Sequence, residues 1–263
     1  MNNLRIMKRA FRLLGEQGIS ADRFDECRGI FRLTDKEILE MAKLCRENRI
    51  GLVMSVGPRA LYDTSAFAKT PNGSRIGYRL RGMENLVRAV EDVKRVIGLG
   101  VRGILVYDEG LLHVLNRMRK DGELPPSTIF KLSVHCGCSN PASCAVYAQN
   151  GADTINPVPD LELPMLGAIR AAIDCPIDIF TDTALVAGGF IRTYEVPEFI
   201  RIASPVYLKC GPVSQQDQNH LPTEEELRER IVQTKMVLEA IRRYYPAAKR
   251  VSKEEPTLSL PEL

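Results

Sequence analysis

The sequence predicts an α/β chain: a (β/α)8 TIM-type barrel whose first β/α unit is incomplete or irregular. Three observations predict it. Short apolar runs rich in β-branched residues alternate with longer segments of helical period, several helical segments open on a capping signal, and the alternation recurs through nearly the whole chain. Strands separated by helices must pair in parallel, and seven or eight such units close into a ring. An open doubly wound sheet is the alternative, but no Gly-x-Gly-x-x-Gly fingerprint follows the first strands, as a dinucleotide fold requires.

Taken in order, residues 10–15 (AFRLLG) are a weak candidate for the eighth strand, because Leu4, Met7, Phe11 and Leu14 also fall at helical spacing. Arg5, Lys8, Arg9 and Arg12 precede the first acid, Glu16, a bias read as an amphipathic surface helix in preference to a transit peptide. Seven strands follow at 29–33 (GIFRL), 51–56 (GLVMSV), 103–108 (GILVYD), 131–135 (KLSVH), 154–158 (TINPV), 177–182 (IDIFTD) and 206–210 (VYLKC). Thr34 and Glu37 form a capping box ahead of Ile38, Met41, Ala42 and Cys45. The segment 84–97 repeats that spacing with Leu86, Val90, Val93 and Ile97, and Asn140-Pro141 reads as a cap with a first-turn proline. Thr223 and Glu226 open a long helix toward Tyr245. The reading is one barrel domain over 1–248 and a flexible tail over 249–263, which mixes charge with Pro256 and Pro261.

Composition excludes several classes. With 263 residues, 44% hydrophobic and 26% charged, the chain can bury a core. Lys+Arg at 36 against Asp+Glu at 33 leaves +3, no global field for DNA. The longest uncharged apolar stretch, Ala184 to Ile191, is far short of the roughly 20 residues of a membrane helix. Seven cysteines, an odd number without a secretory leader, read as thiols kept reduced in a cytoplasm.

Strand alternation assigns the faces. Leu132 and Val134 point to the helices, leaving Lys131, Ser133 and His135 inside; Asp178, Phe180, Asp182, Tyr207, Lys209 and Asn156 also face inward. Lys131 with Asp178, lower in the lumen, reads as a buried structural ion pair, although Asp178 is also kept as a substrate-binding candidate. Catalytic groups of this fold stand at the carboxyl ends of strands, where His135, Asp182, Lys209 and Glu109 fall, with Asn156 as a binding residue. His135 is the general acid/base candidate, since His113 lies in a helical segment and His220 in a loop. Lys209 either forms a Schiff base with a carbonyl or stays charged and pairs with Asp182 or a substrate anion. The bland alternative for the whole set is a polar plug that only stabilises the barrel.

Two loops reach the same face. Residues 57–83 carry Arg59, Lys69, Arg75, Arg79 and Arg81, suiting a lid over an anionic substrate or a merely solvated loop. Thr183 through Gly188-Gly189-Phe190 to Arg192 brings backbone amides and a guanidinium over the mouth. Cys136, Cys138, Cys144 and Cys210 could meet there, which leaves an iron–sulfur cluster open, although C-x-C-x5-C matches no strong cluster or zinc signature. His135, Asp182 and Glu109 could ligate a divalent metal, so the cofactor stays unknown. Cys27, Cys45 and Cys175 read as structural.

The run LSVHCGCSNPASCAVYAQNGADTINPVPDLEL, with CPIDIFTDT and GGFIRTYEVPEFIRIASPVYLKCG, resembles barrel proteins within or near the collagenase-like peptidase family U32. The resemblance covers roughly residues 100–212 and implies an aldolase-type barrel and a hydrolase acting on peptides. The family's Glu-x-Phe-x-x-Gly and spaced cysteines are absent. The functional expectation is a hydrolytic enzyme for a peptide-like or small anionic substrate, with a Schiff-base lyase or aldolase using Lys209 second. A cluster-binding hydroxylation factor and a non-catalytic barrel subunit are the further alternatives. The expected partner is a small-molecule or peptide substrate, without DNA or membrane, and a homo-oligomer is left open.

Overall fold

The computed structural model describes residues 3–58, 66–74, 76–211, 220–252 and 258–263. Helix α1 (Leu4–Glu16) leads into β1 (Arg23–Glu26), α2 (Asp35–Glu47) and β2 (Gly51–Ser55); the short α3 (Pro71–Ser74) and α4 (Met83–Gly98) precede β3 (Gly103–Val106). Then come α5 (Glu109–Lys120), β4 (Ile129–Leu132), α6 (Pro141–Gln149), β5 (Thr154–Ile155), α7 (Leu163–Ala172), β6 (Ile177–Phe180), α8 (Val196–Ala203), β7 (Val206–Lys209) and α9 (Glu224–Tyr244). All seven strands pair in parallel in the order β1 to β7. The sheet curls so far that side chains of its two edges meet: the Arg23 guanidinium lies over the Tyr207 ring at 3.8 Å. This is the TIM-type β/α architecture, although among the described residues no ladder joins β7 back to β1.

Local chemistry explains the elements. Thr34, Asn140 and Thr223 each accept the amide of the residue three ahead, and Glu37, Ser143 and Glu226 return to the cap's own amide. The main core lies between sheet and helices, with Leu52, Met54, Ile104, Val106, Phe130, Leu132, Ile155, Ile177 and Ile179 facing outward. Val53, Leu105 and Tyr107 form a separate small cluster inside the ring.

Two sequence expectations are corrected. Residues 10–15 belong to α1, whose apolar stripe of Ile6, Met7, Ala10, Leu13 and Leu14 is buried, so the helical spacing prevails over the strand alternative. Residues 29–33 hold a 3-10 turn at Ile30–Arg32, entered through Gly29 at φ 112°, a backbone state that a strand does not use. The first strand is instead Arg-Phe-Asp-Glu at Arg23–Glu26. Part of the segment read as a tail is packed: Ser259 is buried, and its carbonyl accepts the Leu52 amide at 3.0 Å. Among the described residues no helix is long and apolar enough to cross a membrane.

Candidate active site

The lumen is built in two polar layers. In the lower one, Lys131 donates to Asp25 Oδ2 and Asp178 Oδ1, both at 2.7 Å, while Arg23 donates to Asp25 Oδ1 at 3.1 Å and also to Asp178. Lys131 and Asp178 are fully buried. Burial, and then the Arg23 charge, hold the Lys131 ammonium well below the usual lysine range. Asp25 moves down from the ordinary aspartate value: burial pushes it up, but Lys131, Arg23 and Lys209 together outweigh that. Lys131 and Asp178 thus form the buried ion pair that alternation assigned to them.

The upper layer opens to the mouth. Lys209 rises from β7 in register with Phe180, lies 4.3 Å over that ring, and donates to Asn156 Oδ1 at 3.1 Å. Asn156 is buried and turned by its own bond to the Asp178 carbonyl at 2.8 Å, which leaves its oxygen for the lysine. Lys209 Nζ also stands 3.8 Å from Asp25 Oδ2, with a fifth of its side chain exposed. Lys209 is therefore the lumen base nearest solvent, above a layer whose other bases are covered.

The rim is aromatic. Ser133 caps a 3-10 turn at Val134–Cys136, so β4 ends early and His135 leaves the strand for the exposed rim. Tyr78 stacks on His135 with ring centroids 3.7 Å apart, and on Tyr107 at 5.3 Å. Arg79 fastens this segment by donating to the carbonyls of Tyr107 at 2.8 Å and His135 at 3.0 Å, and by pairing with Glu109 at 2.8 Å. The described part of the loop thus lies across the β3–β4 side of the mouth. Arg81 is exposed on the approach to α4, and Lys69 is exposed beyond it; Arg59 and Arg75 lie outside the described residues.

Not every candidate converges. Asp182 is buried and accepts from the Gly211 amide at 2.8 Å and the Thr181 hydroxyl at 2.9 Å, a bracing role between the ends of β6 and β7. Lys209, read as its partner, turns instead to Asn156 and Asp25. Arg192 sends two guanidinium nitrogens to Glu195 at 2.6 and 2.8 Å and a third to the Pro159 carbonyl, so its donors serve the loop rather than the mouth. Glu109, first residue of α5, is drawn to Arg79.

The thiols do not assemble either. Cys138 and Cys144 are joined as a disulfide, which corrects their reading as free thiols: Gly137 in a left-handed turn folds the chain back onto the start of α6. Burial pushes the Cys136 and Cys210 thiols up to about 12. Among the described residues no group of three His, Cys, Asp or Glu side chains stands close enough to hold a metal ion.

Arg23, Asp25 and Tyr78 carry little signal in the sequence. Phe24 facing α1 between charged Arg23 and Asp25 is a period-two signal, but it spans only four residues. Tyr78 carries no pattern at all, because a loop has no period.

The sequence matches no protein-family model and no curated protein. Among solved structures, D-psicose 3-epimerase from Clostridium cellulolyticum H10, in complex with D-tagatose, is similar with a TM-score of 0.52 at 11% identity, over 88% of this chain and 93% of that one. Thiamine phosphate pyrophosphorylase from Pyrococcus furiosus aligns with a TM-score of 0.47 at 14% identity over 90% of each chain. A U32 peptidase aligns with a TM-score of 0.41 at 14% identity over 62% of this chain, which spans 61% of the peptidase's length. The likeness to the epimerase shows the fold: this is a protein of the TIM-type β/α-barrel class.

Proposed function

We propose that this barrel is an enzyme acting at its carboxyl-end mouth on a small carbonyl compound that carries an anionic group, with Lys209 as the amine that forms an imine. One observation carries the reading: Lys209 and Lys131 both approach Asp25 Oδ2, at 3.8 and 2.7 Å, and Lys209 alone of the two is open to the mouth. A lysine at the mouth of the lumen, oriented by Asn156 at 3.1 Å and with a fifth of its side chain exposed, is placed to meet the carbonyl of a bound substrate. The neutral amine adds to the carbonyl carbon, and the carbinolamine loses water as its oxygen gains a proton. The resulting iminium draws in the electron pair of a neighbouring C–H bond, whose proton passes to water at the mouth, or of a C–C bond, whose other carbon leaves as an aldehyde while its hydroxyl proton passes to that water. Asp25, held as a carboxylate, stands where that positive nitrogen forms, and Asn156 orients it.

The test is reductive trapping. With a panel of small 2-oxo acids and phosphorylated aldehydes, borohydride leaves an adduct mapped to Lys209 by peptide mass spectrometry, absent in Lys209→Ala. No adduct with any member, or equal labelling of surface lysines, defeats the proposal.

The second reading, hydrolysis of a peptide-like substrate with His135 as acid/base, is supported by the resemblance and by the position of His135 on the rim. It requires Tyr78 to leave the imidazole face. Fluorogenic peptide turnover lost in His135→Ala, with no trapped adduct, selects it over the imine reading.

A further inference from the structure

Residues 258–263 occupy a groove on the opposite end of the barrel, against the starts of β2 and β3. The groove is shaped for a close main chain. A Cβ added at Gly51 would stand 2.6 Å from the Leu258 carbonyl oxygen and at Gly100 2.6 Å from the Glu262 carbonyl oxygen, while at Gly103 it would meet both the neighbouring Leu52 carbonyl oxygen at 2.5 Å and Ser259 Cβ at 2.6 Å. Glycine is the residue that lets another backbone approach this far. Polar contacts fix the register: Leu52 N–H donates to Ser259 O at 3.0 Å, and Glu262 N–H donates to Gly100 O at 2.8 Å. Arg46 donates to Pro261 O at 2.8 Å, and Arg102 pairs with the Glu262 carboxylate at 2.8 Å. Ser259 is held at φ 63°, a state few non-glycine residues adopt unaided, and it is 3% exposed. The preceding stretch is tied to the same end of the barrel, since Arg250 pairs with Asp22 at 2.9 Å, just ahead of β1.

We propose that this face is a peptide-recognition site whose resident ligand is the chain's own Leu-Ser-Leu-Pro-Glu-Leu segment, and that it selects an extended peptide with an acidic residue facing Arg102. The division of labour is that of other extended-peptide sites. Main-chain bonds hold the ligand, and side-chain contacts choose it. Here the main-chain partners are Leu52 and Gly100, the shape filter is Gly51 and Gly100, and the charge filter is Arg102. The site lies at the end of the barrel away from Lys209 and does not depend on the chemistry proposed there.

The experiment keeps the chain whole until it has folded. A specific protease sequence is inserted between Thr257 and Leu258, the protein is cleaved, and native mass spectrometry follows the released segment. The expected result is that residues 258–263 stay bound after cleavage and are displaced by an excess of synthetic, fluorescently labelled Leu-Ser-Leu-Pro-Glu-Leu. The same peptide with lysine at the glutamate position should bind at least about tenfold more weakly, the size of one lost charge pair at a recognition site. Hydrogen exchange in the uncleaved chain is the second measurement. The Leu52 amide, which donates to Ser259, should lose protection in Arg102→Glu and regain it in Arg102→Glu with Glu262→Arg. Immediate loss of the segment from a still-folded barrel with no binding of added peptide overturns the proposal. So does Leu52 protection that ignores both charge reversals.

Discussion

Tyr78 lies flat on His135, ring centroids 3.7 Å apart and planes 7° from parallel. The contact joins a loop that follows β2 to the rim of β4, so one aromatic pair decides whether the imidazole face meets solvent. Such pairs contribute roughly 0.5–1.5 kcal/mol. Tyr78→Ala should therefore lower stability by roughly 0.5–1.5 kcal/mol while raising the rate of His135 modification by diethyl pyrocarbonate severalfold. An unchanged rate would show that the stack does not cover the ring in solution.

The buried charges should behave as a unit. Asp178→Leu leaves Lys131 and Arg23 facing Asp25 alone inside the ring, and breaking a buried pair from one side costs about 3–5 kcal/mol. Adding Lys131→Met removes one charge of each sign and leaves Arg23 paired with Asp25, so the double variant should regain most of that loss. Urea midpoints of the two variants and the parent check it. Equal midpoints for single and double variants would mean that Lys131 is not held by Asp178.

Much of this arrangement is legible in the sequence. Six of the seven strands announce themselves because both faces of a parallel sheet inside helices are apolar, as Leu52 to Met54 and Ile104 to Val106 show. Lys131, Asn156, Asp178 and Lys209 stand out for the opposite reason: polar residues at the lumen phase of such strands. The first strand hides because its lumen residues are charged, while the apolar Ile30, Phe31 and Leu33 just after it are used for a turn that follows Gly29. Missing that strand meant missing Asp25, the residue that joins both lysines. Period two does not hold for His135, because the strand ends at Leu132 and a turn capped by Ser133 follows. Arg192 and Asp182 could not be resolved from the sequence, because their partners Glu195 and Gly211 meet them through loop geometry that no periodicity encodes.

Cysteine reactivity should follow burial. The thiols of Cys45, Cys136 and Cys210 are all pushed up to about 12 by burial, leaving almost no thiolate at neutral pH. Iodoacetamide on the native protein should spare these three and reach them only after denaturant is added, as peptide mapping would show. Fast native labelling of Cys136 would show that its thiol is not kept protonated by burial.

Glu26 offers the sharpest test of pH dependence. Its side chain, at the end of β1, is fully buried and accepts from the amides of Arg28 and Gly29 and from the Ser55 hydroxyl at 3.0 Å. Burial pushes its pKa above the ordinary 4.5, and the surrounding donors only partly oppose this. The native state therefore holds the proton more tightly than the unfolded chain. That contribution to stability is complete below about pH 4.5 and is lost as pH rises through the folded value. Glu26→Gln resembles the protonated acid: it keeps one acceptor for Arg28 and Gly29, places a donor toward Ser55, and does not titrate. Urea midpoints measured from pH 4 to 8 should show the variant gaining on the parent as pH rises, with a slope no steeper than about 1.4 kcal/mol per pH unit for one proton. Parallel curves, or a variant that falls behind at neutral pH, would mean that the carboxylate is the form this turn is built to hold.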